Sequence, residues 1–176
     1  MVFGGVATET DFTTVVSKPW TAHLNDVGVA GASYSYRFGT VNELLGEFAV
    51  GSIGDYFAIE AEAGVAGRFG GESLGEGWVA LYLRYDGFPW NAIVYTTFAA
   101  NLGLSALTEV SEFELSREGK ATEVLHYFAP ELTFAGPENR NLEFVLRLHH
   151  RSGIFGTFDG ISTGSTFIST GIRMRF

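Results

Sequence analysis

The sequence predicts an all-β protein, an eight-stranded antiparallel transmembrane β-barrel of the outer-membrane type. Three observations lead to this prediction: apolar residues recur with a period of two, charged residues occupy the opposite faces of the same segments, and the composition suits short curved strands. The chain has 176 residues, of which 46% are apolar and 23 are glycine. No apolar run reaches the roughly 18 residues that a membrane-spanning helix requires. One small barrel accounts for this length.

The alternation is clearest in the segment that begins at Phe57. Its odd-numbered residues through Val65 are apolar, whereas its even-numbered residues include Glu60 and Glu62. Strict alternation of this kind is typical of strands that have one apolar face. Similar alternation appears in residues 30–38, 78–85, 142–149 and 167–176.

The charged residues in these segments distinguish a membrane barrel from a soluble sheet protein. Glu62 and Arg147 fall in the middle of predicted strands, among small residues. In a membrane barrel the apolar face meets lipid and the lumen holds paired carboxylates and guanidinium groups. An alternative is a soluble β-barrel that binds a hydrophobic ligand, and it requires the apolar face to point inward.

Two regions are predicted along the chain. Residues 1–26 show no clear period and are expected to form an irregular N-terminal extension, and residues 27–176 are expected to form the barrel. Turn signals separate eight or nine segments, and eight is preferred because bacterial barrels of one chain have an even strand number. The chain ends on Phe176, on the same face as Ile172 and Met174, which resembles the assembly signal of outer-membrane barrels.

Composition also excludes several classes of function. The net charge of −9 argues against nucleic acid as a partner, because no basic stripe is present to neutralise phosphates. The sequence has no cysteine, so disulfides and thiol catalysis are excluded. His23 and His126 have no companions at metal-ligand spacing, and we predict neither a metal site nor a cofactor.

The candidate site is the pair His150 and Ser152. Residues two apart in a strand share a face, and the register of Leu146 and Leu148 makes this the lipid-facing one. A histidine can deprotonate a neighbouring hydroxyl, and a carboxylate can hold the histidine in the required tautomer. These residue types therefore indicate ester cleavage.

This region resembles the lipid A 3-O-deacylases, mainly over residues 140–176. The resemblance rests on the His-x-Ser pair, the glycine-containing loop that follows it and the closing strand with its terminal aromatic residue. It implies an eight-stranded barrel in the bacterial outer membrane that removes an acyl chain from lipopolysaccharide without a cofactor. It also implies that Ser152 is the nucleophile and His150 the general base.

Two positions depart from the pattern of that family. Gly153 stands where the family has Asn, and Ser162 stands where the family has the Glu that completes its triad. Asp159 is the one carboxylate in this loop and is the candidate for the orienting acid. Loss of a triad carboxylate lowers the rate by orders of magnitude, so the activity depends on what replaces it.

The leading hypothesis is thus a membrane-embedded hydrolase whose partner is lipopolysaccharide or another outer-membrane lipid. An alternative is a non-catalytic outer-membrane barrel with a structural or interaction role, in which the partner is a second copy or an envelope protein and residues 1–26 form an interaction arm. In that case residues 149–152 are expected to form a polar rim that grips lipid phosphates.

Overall fold

The structure, a computed structural model, describes residues 1–46, 51–154, 156–158, 160–162 and 164–176. The described residues form nine strands: β1 Val2–Thr8, β2 Leu24–Thr40, β3 Phe57–Phe69, β4 Leu74–Tyr85, β5 Tyr95–Leu107, β6 Val124–Phe128, β7 Glu131–Ala135, β8 Leu142–Ser152 and β9 Thr166–Met174. They also form three short α-helices: α1 Phe12–Ser17, α2 Val41–Leu45 and α3 Glu112–Glu118. Within the described part of the chain, no helix combines the length and the apolar character needed to cross a membrane.

The nine strands form one antiparallel sheet that closes on itself into a ring. β1 pairs with β2 on one side and with β9 on the other, and the pairing continues from β2 through β5. β6 and β7 both lie between β5 and β8, and β8 pairs with β9 to complete the ring. The prediction of an all-β antiparallel protein is confirmed.

A break at Ala129 and Pro130 separates β6 from β7, two short strands that both lie between β5 and β8. Proline has no N–H to donate to a ladder. The Asn101 side chain spans the gap from β5: its Nδ2 donates to the Tyr127 carbonyl at 3.1 Å, and its Oδ1 accepts from the Ala129 N–H. The amide thus satisfies backbone groups that the interrupted ladder leaves without partners.

The prediction of an irregular extension over residues 1–26 is wrong for Val2–Thr8, which forms β1. Gly4 lies opposite Ala30 of β2 and Thr170 of β9. Glycines hide the alternation in this segment, and Gly5 is required by close packing, because a Cβ there would lie 2.7 Å from the Ile168 carbonyl oxygen. The N-terminal strand closes the ring and is therefore not a free interaction arm.

The strands turn their apolar faces outward and their charged faces inward. Val65 of β3 is 66% exposed and Leu81 of β4 is 59% exposed, whereas Glu62 of β3 is only 3% exposed. The prediction of charged residues in the lumen is confirmed, and the alternative with the apolar strand face pointing inward is wrong. We call the outward-facing apolar residues the outer belt; it includes Val65, Val79, Leu81, Leu83, Leu102, Leu104, Phe144, Leu146, Ile172 and Met174.

Ion pairs fill the middle of the lumen. Glu131 is fully buried and lies 2.6 Å from a guanidinium nitrogen of each of Arg84, Arg147 and Arg173. Three further carboxylates neutralise these arginines: Glu60, Glu62 and Glu143, at 2.9, 2.8 and 3.6 Å. We call these seven residues the lumen network. Burial of so many ions is tolerated because each lies close to opposite charge.

A second group of ions fixes α3 over one end of the ring. Glu114 of α3 lies 3.1 Å from Arg151 and 3.4 Å from Arg68, and Ser165 donates to it at 2.7 Å. Arg68 also pairs with Glu76 of β4 at 2.7 Å. We call this end of the ring the site end. The described residues of the connections 9–23, 70–73, 108–123 and 153–165 lie there.

Candidate functional site

His150 and Ser152 lie near the site end of β8 and line one cavity of about 610 Å³ on the outside of the ring. Alternation along β8 places both on the face that carries Leu146 and Leu148, as the sequence predicts. Ser152 is partly buried and His150 is 8% exposed. No hydrogen bond joins the two side chains in the structure as described. The cavity therefore has a histidine and a hydroxyl on its wall that are not hydrogen-bonded to each other in the described residues.

The aromatic ring of Phe12 covers His150. Contrary to the prediction, this histidine is therefore not openly exposed on the outer wall. The two rings stack with centroids 4.6 Å apart, and Phe12 also contacts Phe128 edge-on at 5.5 Å. Phe12 is the first residue of α1, so the connection between β1 and β2 lies against the outer wall of β6 and β8. The site is a pocket between this connection and the strands.

Two oxygen atoms lie beside Nδ1 of His150. That nitrogen is 3.1 Å from the carbonyl oxygen of Ser165 and 2.8 Å from the hydroxyl of Thr166. In the tautomer that carries its proton on Nδ1, this nitrogen donates a hydrogen bond to the Ser165 carbonyl oxygen, which only accepts. The lone pair then resides on Nε2, which is the form of the ring that a general base requires.

The Ser165 carbonyl and the Thr166 hydroxyl thus stand where a triad would place its carboxylate. Asp159, the predicted orienting acid, lies outside the described residues. Ser162 lines the cavity but is exposed. The described carboxylate on the cavity wall is that of Asp11, and it lies 3.5 Å from Arg117. Neutral oxygens orient the ring but stabilise an imidazolium less than a carboxylate does.

His149 and Arg151, which alternate with His150 and Ser152 along β8, face the lumen. The four residues therefore do not form a polar rim together. His149 is fully buried, with Nε2 3.0 Å from the Glu76 carboxylate. Arg151 is also fully buried and donates to the carbonyl oxygens of Thr122 and Glu123 at 3.0 and 2.9 Å. The polar-rim prediction is therefore wrong for His149 and Arg151, because alternation points them inward.

Two glycines let the connection after β8 fold back onto the strand. A Cβ on Gly153 would overlap the carbonyl oxygen of Ile161, and one on Gly164 would overlap that of Arg151. Any larger residue at these positions would push the loop away from the cavity. The glycine that replaces the Asn of the deacylase pattern is thus explained by close packing within this chain.

Arg117 of α3 joins the three connections that surround the cavity. Its guanidinium donates to the carbonyl oxygens of Glu9 and Gly164 at 3.2 and 3.1 Å, which belong to the β1–β2 and β8–β9 connections. This side chain also lines the cavity. Its hydrogen-bonding role is structural, because it holds the pocket walls together.

The floor of the cavity is apolar and continues into the outer belt. Leu102 and Phe128 line the cavity, and Leu102 is 72% exposed on the outer wall. Ile154 supplies apolar surface from the β8–β9 connection. An acyl chain lying along the outer belt can therefore extend into the cavity and bring its ester group to the polar residues.

Sequence reasoning missed several contributors to the site, among them Phe12, Ser165 and Thr166. Phe12 belongs to a segment without a clear period, so nothing in the sequence assigns it a partner. Thr166 lies directly opposite His150 in the pairing of β8 with β9. The alternation of residues 167–176 could have placed it on the outward face, but the register between the strands could not be read.

If the site cleaves esters as the sequence predicts, Thr166→Val is expected to lower kcat about fivefold to tenfold. Valine keeps the shape of threonine but removes a hydroxyl worth about 1 kcal/mol as a hydrogen-bond partner of His150, and 1.36 kcal/mol corresponds to a tenfold change in rate. Steady-state kinetics on a fatty-acyl ester measures the change. Thr170→Val, on the same face of β9 but outside the cavity, is the control and should leave kcat unaltered; equal losses in both variants would contradict this role.

Within the described residues, no group of three or more His, Cys, Asp or Glu side chains is arranged to hold a metal ion. Comparisons with protein-family models, with curated proteins and with solved structures found no match. The class that can be assigned is an all-β protein with a closed antiparallel sheet, charged inside and apolar outside. The resemblance to lipid A deacylases therefore remains a prediction.

Proposed function

We propose that this protein is an eight-stranded outer-membrane β-barrel that hydrolyses an acyl ester of lipopolysaccharide or of another outer-membrane lipid. β6 and β7 share one place in the ring, so the nine strands occupy eight places. The outer belt provides the apolar surface that lipid requires, and the lumen network is the polar interior typical of such barrels. Backbone groups in a closed ring are paired, as the hydrocarbon region demands.

The observation that carries the enzymatic proposal is the common cavity of His150 and Ser152 on the outer wall. A lipid reaches it sideways, with the acyl chain along Leu102. Ser152 Oγ attacks the ester carbonyl while Nε2 of His150 takes its proton, and the same nitrogen returns the proton to the leaving alcohol. Water then releases the fatty acid by the same steps.

The experiment that tests this proposal is fatty-acid release from purified lipopolysaccharide in detergent micelles. The native chain is compared with the double variant His150→Ala, Ser152→Ala, and the products are identified by mass spectrometry. We expect release by the native chain and none above the uncatalysed rate by the double variant. Equal release by both, or none by either where another deacylase is active, would reject the hydrolase.

A second candidate function is a non-catalytic barrel with a structural role in an envelope assembly. The observations that favour it are the lack of a hydrogen bond between His150 and Ser152 and the neutral groups at Nδ1 of His150. In that case the cavity holds a lipid without cleaving it. Recovery of intact lipid with the purified native protein, together with no acyl release, is the expected result for this candidate.

Leu81→Arg is expected to destabilise the membrane-inserted protein by about 2–4 kcal/mol, the cost of an arginine on the lipid face near the middle of a bilayer. Leu81 is 59% exposed in the outer belt. The measurement is urea unfolding in phospholipid vesicles. Leu45→Arg is the matched control, because Leu45 is 66% exposed in α2, between strands, and it should change stability by less than about 1 kcal/mol. Similar effects of both substitutions would argue against a lipid-facing belt.

A further inference from the structure

His126 is a second histidine on the cavity wall, and its ring stacks on that of Phe128 with centroids 6.4 Å apart. It lies on β6, where Leu125 and Tyr127 point into the lumen and are fully buried. His126 points outward and lines the same cavity as His150 and Ser152. A histidine on the lipid-facing wall of a barrel costs stability unless it has a polar partner.

The strand pairing places His126 directly beside Ser152. The two residues are opposite each other in the antiparallel pairing of β6 with β8, and directly opposite residues have Cβ atoms about 4.5–5.5 Å apart. His150 is two residues from Ser152 along one strand, a separation of about 6.6–6.8 Å. By backbone register, the Cβ atom of Ser152 is thus nearer to that of His126 than to that of His150.

The ring of His126 also has hydrogen-bonding capacity that the protein leaves unused. Its Nε2 is shielded from water and has no hydrogen-bond partner in the described part of the chain. Buried polar atoms without a partner are rare in folded proteins, and a catalytic role is one explanation for such an atom. By contrast, Nδ1 of His150 already has two partners.

We propose that His126 donates a hydrogen bond to the ester carbonyl oxygen while Ser152 attacks the carbonyl carbon. As the bond from Ser152 Oγ to carbon forms, the π electrons of the carbonyl move to its oxygen, which becomes negative. His150 holds the serine proton and later gives it to the leaving alkoxide as the carbon–oxygen bond breaks. A donor beside the nucleophile stabilises the charged oxygen, and a neutral imidazole has one N–H to donate.

This inference rests on the proposed hydrolase function and assigns a third functional residue to its site. His126→Leu removes the donor, and His126→Gln keeps an N–H donor on a side chain of similar length. Removing one oxyanion donor typically lowers kcat by about 10²–10³-fold. We expect a loss of about 100-fold in kcat for the leucine variant, with KM changed by less than about threefold, and recovery of at least about tenfold in the glutamine variant.

The test measures kcat and KM for fatty-acid release from lipopolysaccharide by the native chain and by these variants. His23 is an exposed histidine outside the cavity. The variant His23→Gln is the control that measures the effect of replacing a histidine away from the site. Each variant is first checked for the heat-dependent gel mobility of the native barrel, so that a folding defect is not read as a catalytic one.

The outcomes separate this inference from the function on which it rests. One outcome is that the native chain releases fatty acid, that Ser152→Ala is inactive, and that His126→Leu retains kcat within about threefold. In that case the hydrolase function is supported and the role of His126 is rejected. Equal losses in the leucine and glutamine variants also reject it, because a packing role would not distinguish a donor from an apolar side chain. If the native chain is inactive, both proposals are rejected together.

Discussion

Ser152→Ala alone is expected to lower kcat for acyl release by at least about 10³-fold, as much as the double variant that also lacks His150. A nucleophile and its base act as a unit, so removal of either eliminates the step that both serve, and the second removal adds little. Kinetics of fatty-acid release from lipopolysaccharide under single-turnover conditions measures the chemical step. KM should change little, because the acyl chain and not the hydroxyl supplies the binding surface.

Ser162→Ala is the matched comparison, because Ser162 is a second hydroxyl on the wall of the same cavity. It lies in the β8–β9 connection, away from the pairing that places Ser152 beside two histidines, and its loss should alter kcat by less than about threefold. A large loss in Ser162→Ala combined with an active Ser152→Ala would assign the nucleophile to the loop and overturn the proposed roles.

Glu131→Ala is expected to destabilise the protein by about 3–5 kcal/mol, because it removes the shared partner of three buried arginines. Its carboxylate lies 2.6 Å from guanidinium nitrogens of Arg84, Arg147 and Arg173. Glu143 also pairs with Arg175 at 2.9 Å, so without Glu131 three carboxylates face four arginines and one positive charge is left without compensation. Urea unfolding followed by tryptophan fluorescence reports the loss, since Trp78 donates to Glu62 of the same network at 2.9 Å.

Two further variants identify the cause of that loss. Glu138→Ala removes an exposed carboxylate from the connection between β7 and β8 and should change stability by less than about 0.5 kcal/mol. Glu131→Gln keeps the size of the side chain and removes only its charge. If the glutamine variant is as stable as the native protein, packing around Glu131 and not its charge holds the lumen together.

The fold class could be predicted because alternation carries two independent signals. Val65 and Leu81 indicate strands, and Glu62 and Arg147 indicate which face is inside. The first strand could not be predicted in the same way. Gly4 and Gly5 have no side chains to show a period, and β1 is defined only by its pairing with β2 and β9, which is a property of the closed ring.

The candidate site could be predicted only in part, since its residues come from separate segments of the chain. His150 and Ser152 are close in sequence and share a face, so their placement in one cavity follows from the period of a strand. His126 and Thr166 reach the cavity through the register of neighbouring strands, which a single sequence does not reveal. Phe12 covers His150 through a connection whose path depends on tertiary packing.

The lumen network has a consequence for the way this sheet assembles. Glu62 and Arg147 belong to β3 and β8, separated by 85 positions in the chain, and they meet only across the finished ring. In the proposed membrane barrel, an open, half-built sheet would expose their charges on a surface entering a low-dielectric layer, where an unpaired ion is costly. Under that proposal we expect ring closure and charge neutralisation to occur in one concerted event, with all-or-none insertion of the strands and no long-lived partial sheet.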